Sequence, residues 1–312
     1  MHETAVDRAT GTVSPHRAAV ASVRHPEDTG LADAPLTWRS IGLETMASML
    51  VVSLRRLAAR YFEAECQWPR LHPLNERVTA VPHHPLIMVE SLRQLAVAVE
   101  RRHLPPVRGA RLEAVSVSLG LHPRTRPTER GGATDVTVRC ALSDLVVRSG
   151  AVEAYRLSAE YLHAGMLFGR GTMRFAPPAP VEGAVADVVP PPALLHPPAA
   201  AVGAAGDQDV LLARGAQGRL AVVPRDPAHP VLLPGRPIQL PAPAVLEAGR
   251  QAALLSSGMT AAAVIGLRLD LREAVPSCGA LVEVAGEPSG VRFLVTAAGR
   301  ISATGTVQLL GR

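Results

Sequence analysis

The sequence predicts an α+β fold built twice over: two long helices, each wrapped by an antiparallel sheet, joined in one chain as an internal pseudo-dimer. Three observations predict it. The stretch His72 to Ala96, HPLNERVTAVPHHPLIMVESLRQLA, recurs without a gap at His229 to Ala253, HPVLLPGRPIQLPAPAVLEAGRQAA, at the constant offset of 157 that carries His72 onto His229. An offset this long marks duplicated domains rather than a solenoid of short repeats. Each copy ends in a helix-like run with almost no polar face, and four strand-like runs follow each copy.

The elements follow in order. Residues 1 to 36 are polar, mixed and without periodicity, which predicts a mobile segment. Thr37 to Ala59 reads either as an amphipathic helix or as a first strand. In Arg60 to Trp68, Phe62, Ala64, Cys66 and Trp68 alternate with Tyr61, Glu63, Glu65 and Gln67, the period of a half-buried strand. Pro82 and Pro85 suit a loop and a first helical turn. Ile87 to Glu100 then reads as a buried helix whose polar side chains before its end are Glu90, Ser91, Arg93 and Gln94. Strands are predicted at Arg111 to Leu121, Thr134 to Val147, Ala151 to His163 and Gly165 to Phe175, with turns at Gly131-Gly132 and Ser149-Gly150.

Eight prolines between Pro177 and Pro198 predict an extended linker from Pro177 to Gly206. Short strands at Asp209 to Ala213 and Arg219 to Val223 precede a second helix, Ala244 to Ser256, closed by Gly258. Strands at Val264 to Leu271, Ala280 to Ala285, Val291 to Ala297 and Arg300 to Leu310 complete the chain. GRGTMRF at Gly169 to Phe175 also matches ATGTVQL at Ala303 to Leu309. One helix and one antiparallel sheet bury each other only if the sheet wraps the helix, which is the hotdog architecture. The expected organisation is residues 1–36 mobile, 37–176 a first hotdog domain, 177–206 a linker and 207–312 a second hotdog domain.

Composition bounds the partners. The 312 residues fit two ordinary domains, and 47% apolar residues with only 3% aromatics predict a core of Ala, Val and Leu. The net charge of +5 is scattered Arg with no zinc-finger, basic-leucine or aromatic-basic pattern, which argues against nucleic acid. Cys66, Cys140 and Cys278 lie far apart without a CxxC, so buried reduced thiols and a cytoplasmic protein are expected, without a structural metal. The apolar run Met46 to Leu54 is too short to span a bilayer, and the N-terminal residues lack the apolar core of a signal peptide.

The doubled helix motif carries the candidate chemistry. Glu90, Arg93 and Gln94, like Glu247, Arg250 and Gln251, stand at i, i+3 and i+4 and share one helix face. On a surface this would be an ordinary intrahelical pair of about 0.3–0.5 kcal/mol. On a buried helix a charged pair is costly and needs a reason. Each Glu follows its His, His72 or His229, by the same 18 positions.

The segment HPVLLPGRPIQLPAPAVLEAGRQAA resembles the active-site segment of β-hydroxyacyl-carrier dehydratases, which are hotdog proteins. The doubled Glu-x-x-Arg-Gln, in HHPLIMVESLRQLA and LEAGRQAALL, with the segment Val23 to Trp38, resembles more closely the A-factor synthase (AfsA) family of γ-butyrolactone synthases. That resemblance implies an acyltransferase: a β-ketoacyl group passes from the phosphopantetheine of an acyl carrier protein to the hydroxyl of dihydroxyacetone phosphate, and the ester closes to a butenolide phosphate. It implies no further cofactor. The family's usual Asp-His-Val-Pro-Gly before the second helix is Gln239-Leu240-Pro241-Ala242-Pro243 here. Rival readings within the fold are a thioester dehydratase or thioesterase, and outside catalysis an acyl- or lactone-binding protein.

Such chemistry needs a base, an oxyanion donor and a cation for the phosphate. Glu247 and Glu90 are the candidate bases. Arg250 and Arg93 either bind the phosphate or orient the Glu. Gln94 and Gln251 are expected to bond loop backbone and hold the site. His72 and His229 either reach the other half's Glu or simply end a strand. The principal site is expected at Glu247 and Arg250, with His72 or His84 contributed across the pseudo-twofold. Small residues on the second helix, Ala248, Gly249, Ala252 and Ala253, are expected to leave room there for the acyl chain, whereas Leu92, Leu95 and Val97 fill it on the first.

Overall fold

The computed structural model describes residues 35–75, 83–107, 109, 111–128, 131–178, 194–259 and 263–310. The predicted mobile segment 1–36 lies outside them except for its last two residues. Among the described residues, twelve strands form one antiparallel sheet. They are β1 (Val51–Ala58), β2 (Tyr61–Pro69), β3 (Glu113–Leu121), β4 (Ala133–Arg148), β5 (Ala151–His163), β6 (Met166–Ala176), β7 (Leu212–Arg214), β8 (Leu220–Val222), β9 (Ala263–Leu271), β10 (Leu281–Glu287), β11 (Gly290–Ala297) and β12 (Arg300–Leu310). The α-helices among the described residues are α1 (Pro85–His103) and α2 (Ala242–Ser257).

The order β1-β2-β4-β5-β6-β3-β9-β12-β11-β10-β8-β7 is palindromic. Read outward from the central β3–β9 pair, both halves run last strand, third, second, then the two strands that precede the helix. That seam is antiparallel, with Ser118 opposite Arg268 and Leu119 opposite Leu267. Antiparallel pairing at the seam lets an approximate twofold axis relate the halves.

Each helix lies against the sheet that surrounds it, the hotdog arrangement. Along β2 burial alternates strictly enough that Phe62, Ala64, Cys66 and Trp68 face inward. Successive strand side chains point to opposite faces, so a wrapped helix must meet one set only. On α1 the run Pro85 to Leu92 and Gln94 to Val99 is buried, while Arg93 and the basic last turn reach the edge. Tyr161 on β5 donates its hydroxyl to the carbonyl of Met88 at 2.7 Å, and Trp68 donates Nε1–H to Ser91 Oγ at 3.0 Å. Gly258 ends α2 in a left-handed conformation (φ +65°), as its place after the last apolar residues predicts.

Two expectations change. Thr37 to Ala59, open between helix and strand, resolves into a short 3-10 turn, Met46–Ser48, and edge strand β1. The stretch read as a linker is not all extended: Leu195 bridges Arg214, Ala199–Val202 forms a 3-10 turn, and Val202 is fully buried. Apolar side chains within a Pro-rich run find a core to enter, which proline content alone does not reveal. No helix among the described residues is long and apolar enough to cross a membrane.

Candidate functional site

The Glu-Arg-Gln motif builds the same network in both halves. Arg93 donates Nε–H and Nη2–H to the two carboxylate oxygens of Glu90 at 2.7 Å each, and Gln94 donates to Glu90 Oε1 at 2.8 Å. Arg250 does the same to Glu247 at 2.8 and 2.7 Å, and Gln251 donates to Glu247 Oε1 at 2.8 Å. Both carboxylates are 2% exposed, so the paired guanidinium is what makes their burial tolerable. The bidentate fork of each Arg is thereby occupied by its Glu, which favours the orienting role over direct phosphate binding. Arg250 also donates to the carbonyls of Val202 and Gly203, tying the stretch after the prolines to α2.

The glutamines anchor the chain entering each sheet. Gln94 donates to Ser48 O at 2.8 Å and accepts from Leu50 N at 2.9 Å. Gln251 donates to Asp209 O at 2.7 Å and accepts from Leu211 N at 2.9 Å. Ser48 and Asp209 are therefore equivalent positions, each in the 3-10 turn before its half's first strand.

That equivalence explains the two His-Pro histidines. His229 Nδ1 accepts from Val231 N and Leu232 N, which puts its proton on Nε2, 2.9 Å from Asp209 Oδ1. His72 Nδ1 likewise accepts from Leu74 N, but Ser48 replaces the aspartate, and His72 Nε2 and Ser48 Oγ are both buried without a hydrogen-bond partner among the described residues. Burial, then the like charge of His229, pushes the His72 ring down to about 3; the nearby Ser48 backbone opposes this weakly. Neither His bonds to Glu90 or Glu247. Of the two roles open to His72 and His229, the geometry favours the local one: each ring accepts backbone N–H from the loop that follows it. His83 is similarly engaged, with Asn75 and Thr134.

The histidine that reaches across the halves is His84. It caps α1, with Nδ1 accepting from Leu86 N at 3.2 Å, so its remaining proton sits on Nε2. Nε2 lies 3.7 Å from Glu247 Oε2 on α2. Burial first, then Arg250 and Arg126, hold the ring well below its ordinary value, so it is neutral near pH 7. At the offset of 157 the counterpart of His84 is Pro241, the N-cap of α2, which carries no imidazole. The two helices thus carry matching Glu-Arg-Gln networks, but among the described residues a histidine lies within 4 Å of Glu247 and none is seen at Glu90.

Arg126 is the residue that sequence reading missed. It follows β3 in an irregular loop, donates Nη2–H to the carbonyl of His83, and meets no carboxylate among the described residues. Burial and the charge of Arg250 lower its guanidinium to about 10. A largely buried cation beside Arg250 and His84, with no counterion among the described residues, is the arrangement an anionic ligand would satisfy. Nothing in the motif could have flagged it, because Arg126 is one of many scattered arginines.

Beside Gly249 the room expected along α2 is taken by a side chain. A Cβ at Gly249 would stand 2.4 Å from Phe293 Cζ, and one at Gly305 on β12 would stand 2.2 Å from the same atom. Gly249 and Gly305 make space for the Phe293 ring.

A sheet wrapped on a buried helix, with an acid and a histidine meeting across two such units, defines a hotdog protein. Residues 32–177 match the family described as the A-factor biosynthesis hotdog domain (AfsA), the family that the doubled helix motif resembles. A 203-residue stretch is 28% identical to a 2-oxo-3-(phosphooxy)propyl 3-oxoalkanoate synthase of Streptomyces coelicolor. The match covers 63% of this chain and 64% of that protein, so it spans just under two thirds of the relative. Among solved structures, the chain resembles the dehydratase domain from the terminal module of the rifamycin polyketide synthase (18% identity, TM-score 0.44, 88% of this chain and 100% of that one). It also resembles an acyl-ACP thioesterase from Bacteroides thetaiotaomicron (10% identity, TM-score 0.46, 80% and 98%).

Proposed function

We propose that this chain is a cytoplasmic acyltransferase that moves a β-ketoacyl group from an acyl carrier protein to the hydroxyl of dihydroxyacetone phosphate, giving the ester that closes to a butenolide phosphate. We read it as a tandem hotdog with units 37–176 and 207–312. The observation that carries the reading is the composite of His84 and Glu247, 3.7 Å apart across the halves, with Arg126 beside them. The domain match and the named activity of the Streptomyces relative support it.

The roles follow from the hydrogen-bond pattern. Glu247 Oε2 receives Arg250 Nε–H and keeps a lone pair open toward His84, where it accepts the proton of the incoming hydroxyl. The hydroxyl oxygen attacks the thioester carbonyl. His84 Nε2–H, a neutral donor with its other nitrogen fixed by Leu86 N–H, stabilises the oxygen as it becomes anionic. The C–S bond breaks, and the pantetheine thiolate takes the proton. Arg126 holds the phosphate, while Arg250 and Gln251 keep Glu247 in place.

Incubation with a β-ketoacyl pantetheine thioester and dihydroxyacetone phosphate, followed by mass spectrometry, tests this. The ester or butenolide phosphate is expected; free β-keto acid alone would make the protein a thioesterase. Glu247→Gln is expected to lower turnover about 10²–10⁴-fold. Arg126→Ala is expected to raise the KM for dihydroxyacetone phosphate and leave that for the thioester nearly unchanged.

A further inference from the structure

A cavity of about 450 Å³ lies on the opposite side of the pseudo-twofold, between the C-terminal half of α1 and the proline loop before α2. It is the counterpart of the His84 site: Arg93 stands where Arg250 stands there, and Pro241 stands in place of His84. It therefore lacks the donor on which the reaction proposed above depends, and it belongs to no step of that reaction.

Its walls say what it accepts. Tyr155, stacked on Phe175 at 4.9 Å, and Ile238 give an apolar surface, and the prolines of the loop make that side rigid. The charges on its lining balance, two arginines (Arg93, Arg111) against two glutamates (Glu100, Glu113). Arg93 is engaged with Glu90, and Glu100 accepts from the Tyr155 hydroxyl at 3.1 Å. Arg111 makes no hydrogen bond or ion pair among the described residues. Arg111 is exposed at the mouth of the cavity, and partial burial of its guanidinium, then the like charges of Arg93 and Arg101, lowers it from its ordinary value, so an acceptor placed there is favoured. Balanced charge disfavours a ligand with net charge, whereas one open donor beside apolar walls suits a neutral carbonyl carrying a hydrocarbon chain.

We propose that this cavity is a non-catalytic binding site for an uncharged acyl carbonyl compound, with the carbonyl on Arg111 and the chain against Tyr155, Phe175 and Ile238. The inference rests on the twofold relation of the halves and not on the reaction assigned to the other site.

The test is calorimetric titration of the full chain with γ-dodecalactone, dodecanoate and dodecyl phosphate. The lactone is expected to bind with one site per chain, and the two anions at least tenfold more weakly. Arg111→Leu is expected to weaken lactone binding about tenfold, the loss of one charge-assisted hydrogen bond. Ala114→Phe, which fills the cavity from β3, is expected to abolish binding while the protein keeps its circular dichroism and its acyl-transfer turnover. Tighter binding of either anion, or lactone binding unaffected by both variants, overturns the proposal. So does loss of turnover in a folded Ala114→Phe protein, which would make this cavity the reaction chamber. Failure of the acyl-transfer assay in the unmodified chain would leave lactone binding intact and so counts only against the function proposed above.

Discussion

The two halves of this chain solve one packing problem in opposite ways. In the first, Leu92 on α1 lies over Gly171 on β6, and Gly171 pairs with Ala159 on β5. In the second, the equivalent helix position is Gly249, Gly305 on β12 pairs with Phe293 on β11, and the Phe293 ring occupies the space between helix and strand. Bulk moved from helix to strand. Dense interiors conserve volume more strictly than residue identity, so a large residue on one element pairs with a small one on its neighbour. A row of small residues on a buried helix therefore does not by itself signal room for a ligand.

The largest effect that would sharpen this contrast is on stability. Phe293→Ala is expected to cost about 3–5 kcal/mol and Gly249→Leu alone to be strongly destabilising, because its Cβ already meets the ring. The double variant Gly249→Leu/Phe293→Ala imports the first half's solution and is expected to recover most of that loss in denaturant unfolding. If the double variant were as unstable as the sum of the singles, the two arrangements would not be interchangeable.

The halves are also expected to differ in acid. His72 and His83, in the first half, are held down to about 3 and about 4, mainly by burial. Their unfolded value is 6.5, so as pH falls below 6.5 the unfolded state takes up protons that the folded state refuses. Stability is thus lost on acidification, by about 1.4 kcal/mol per pH unit for each ring, between pH 6.5 and the folded values. Hydrogen exchange along an acid titration should show α1 and β2 losing protection before α2. Simultaneous loss in both halves would contradict this.

The smallest effect concerns the loop histidines. Asp209→Ser makes the second half like the first and strands His229 Nε2–H without its acceptor. The expected cost is about 1–3 kcal/mol, read as a lower denaturant midpoint at unchanged slope. An unchanged midpoint would mean that the His229–Asp209 bond contributes nothing beyond what Ser48 and His72 manage without it.

Much was legible in the chain itself. Alternation and apolar runs placed both helices and nearly every strand, because burial on a pleated sheet or a wrapped helix imposes periods of 2 and 3.6 on the sequence. The duplication exposed the Glu-Arg-Gln networks, since a motif repeated at one offset must serve the same local geometry twice. Only the tertiary structure decided the rest. Phe293 fills the space beside Gly249 because a strand distant in sequence lies over the helix. His229 serves a loop because Asp209, which no local pattern ties to it, reaches its ring. His84 rather than His72 faces Glu247, and Arg126 joins them, because the seam between β3 and β9 brings the N-terminus of one helix beside the middle of the other. Residues that meet across such a seam share no period and no spacing, so their partnership is settled only when the sheet closes.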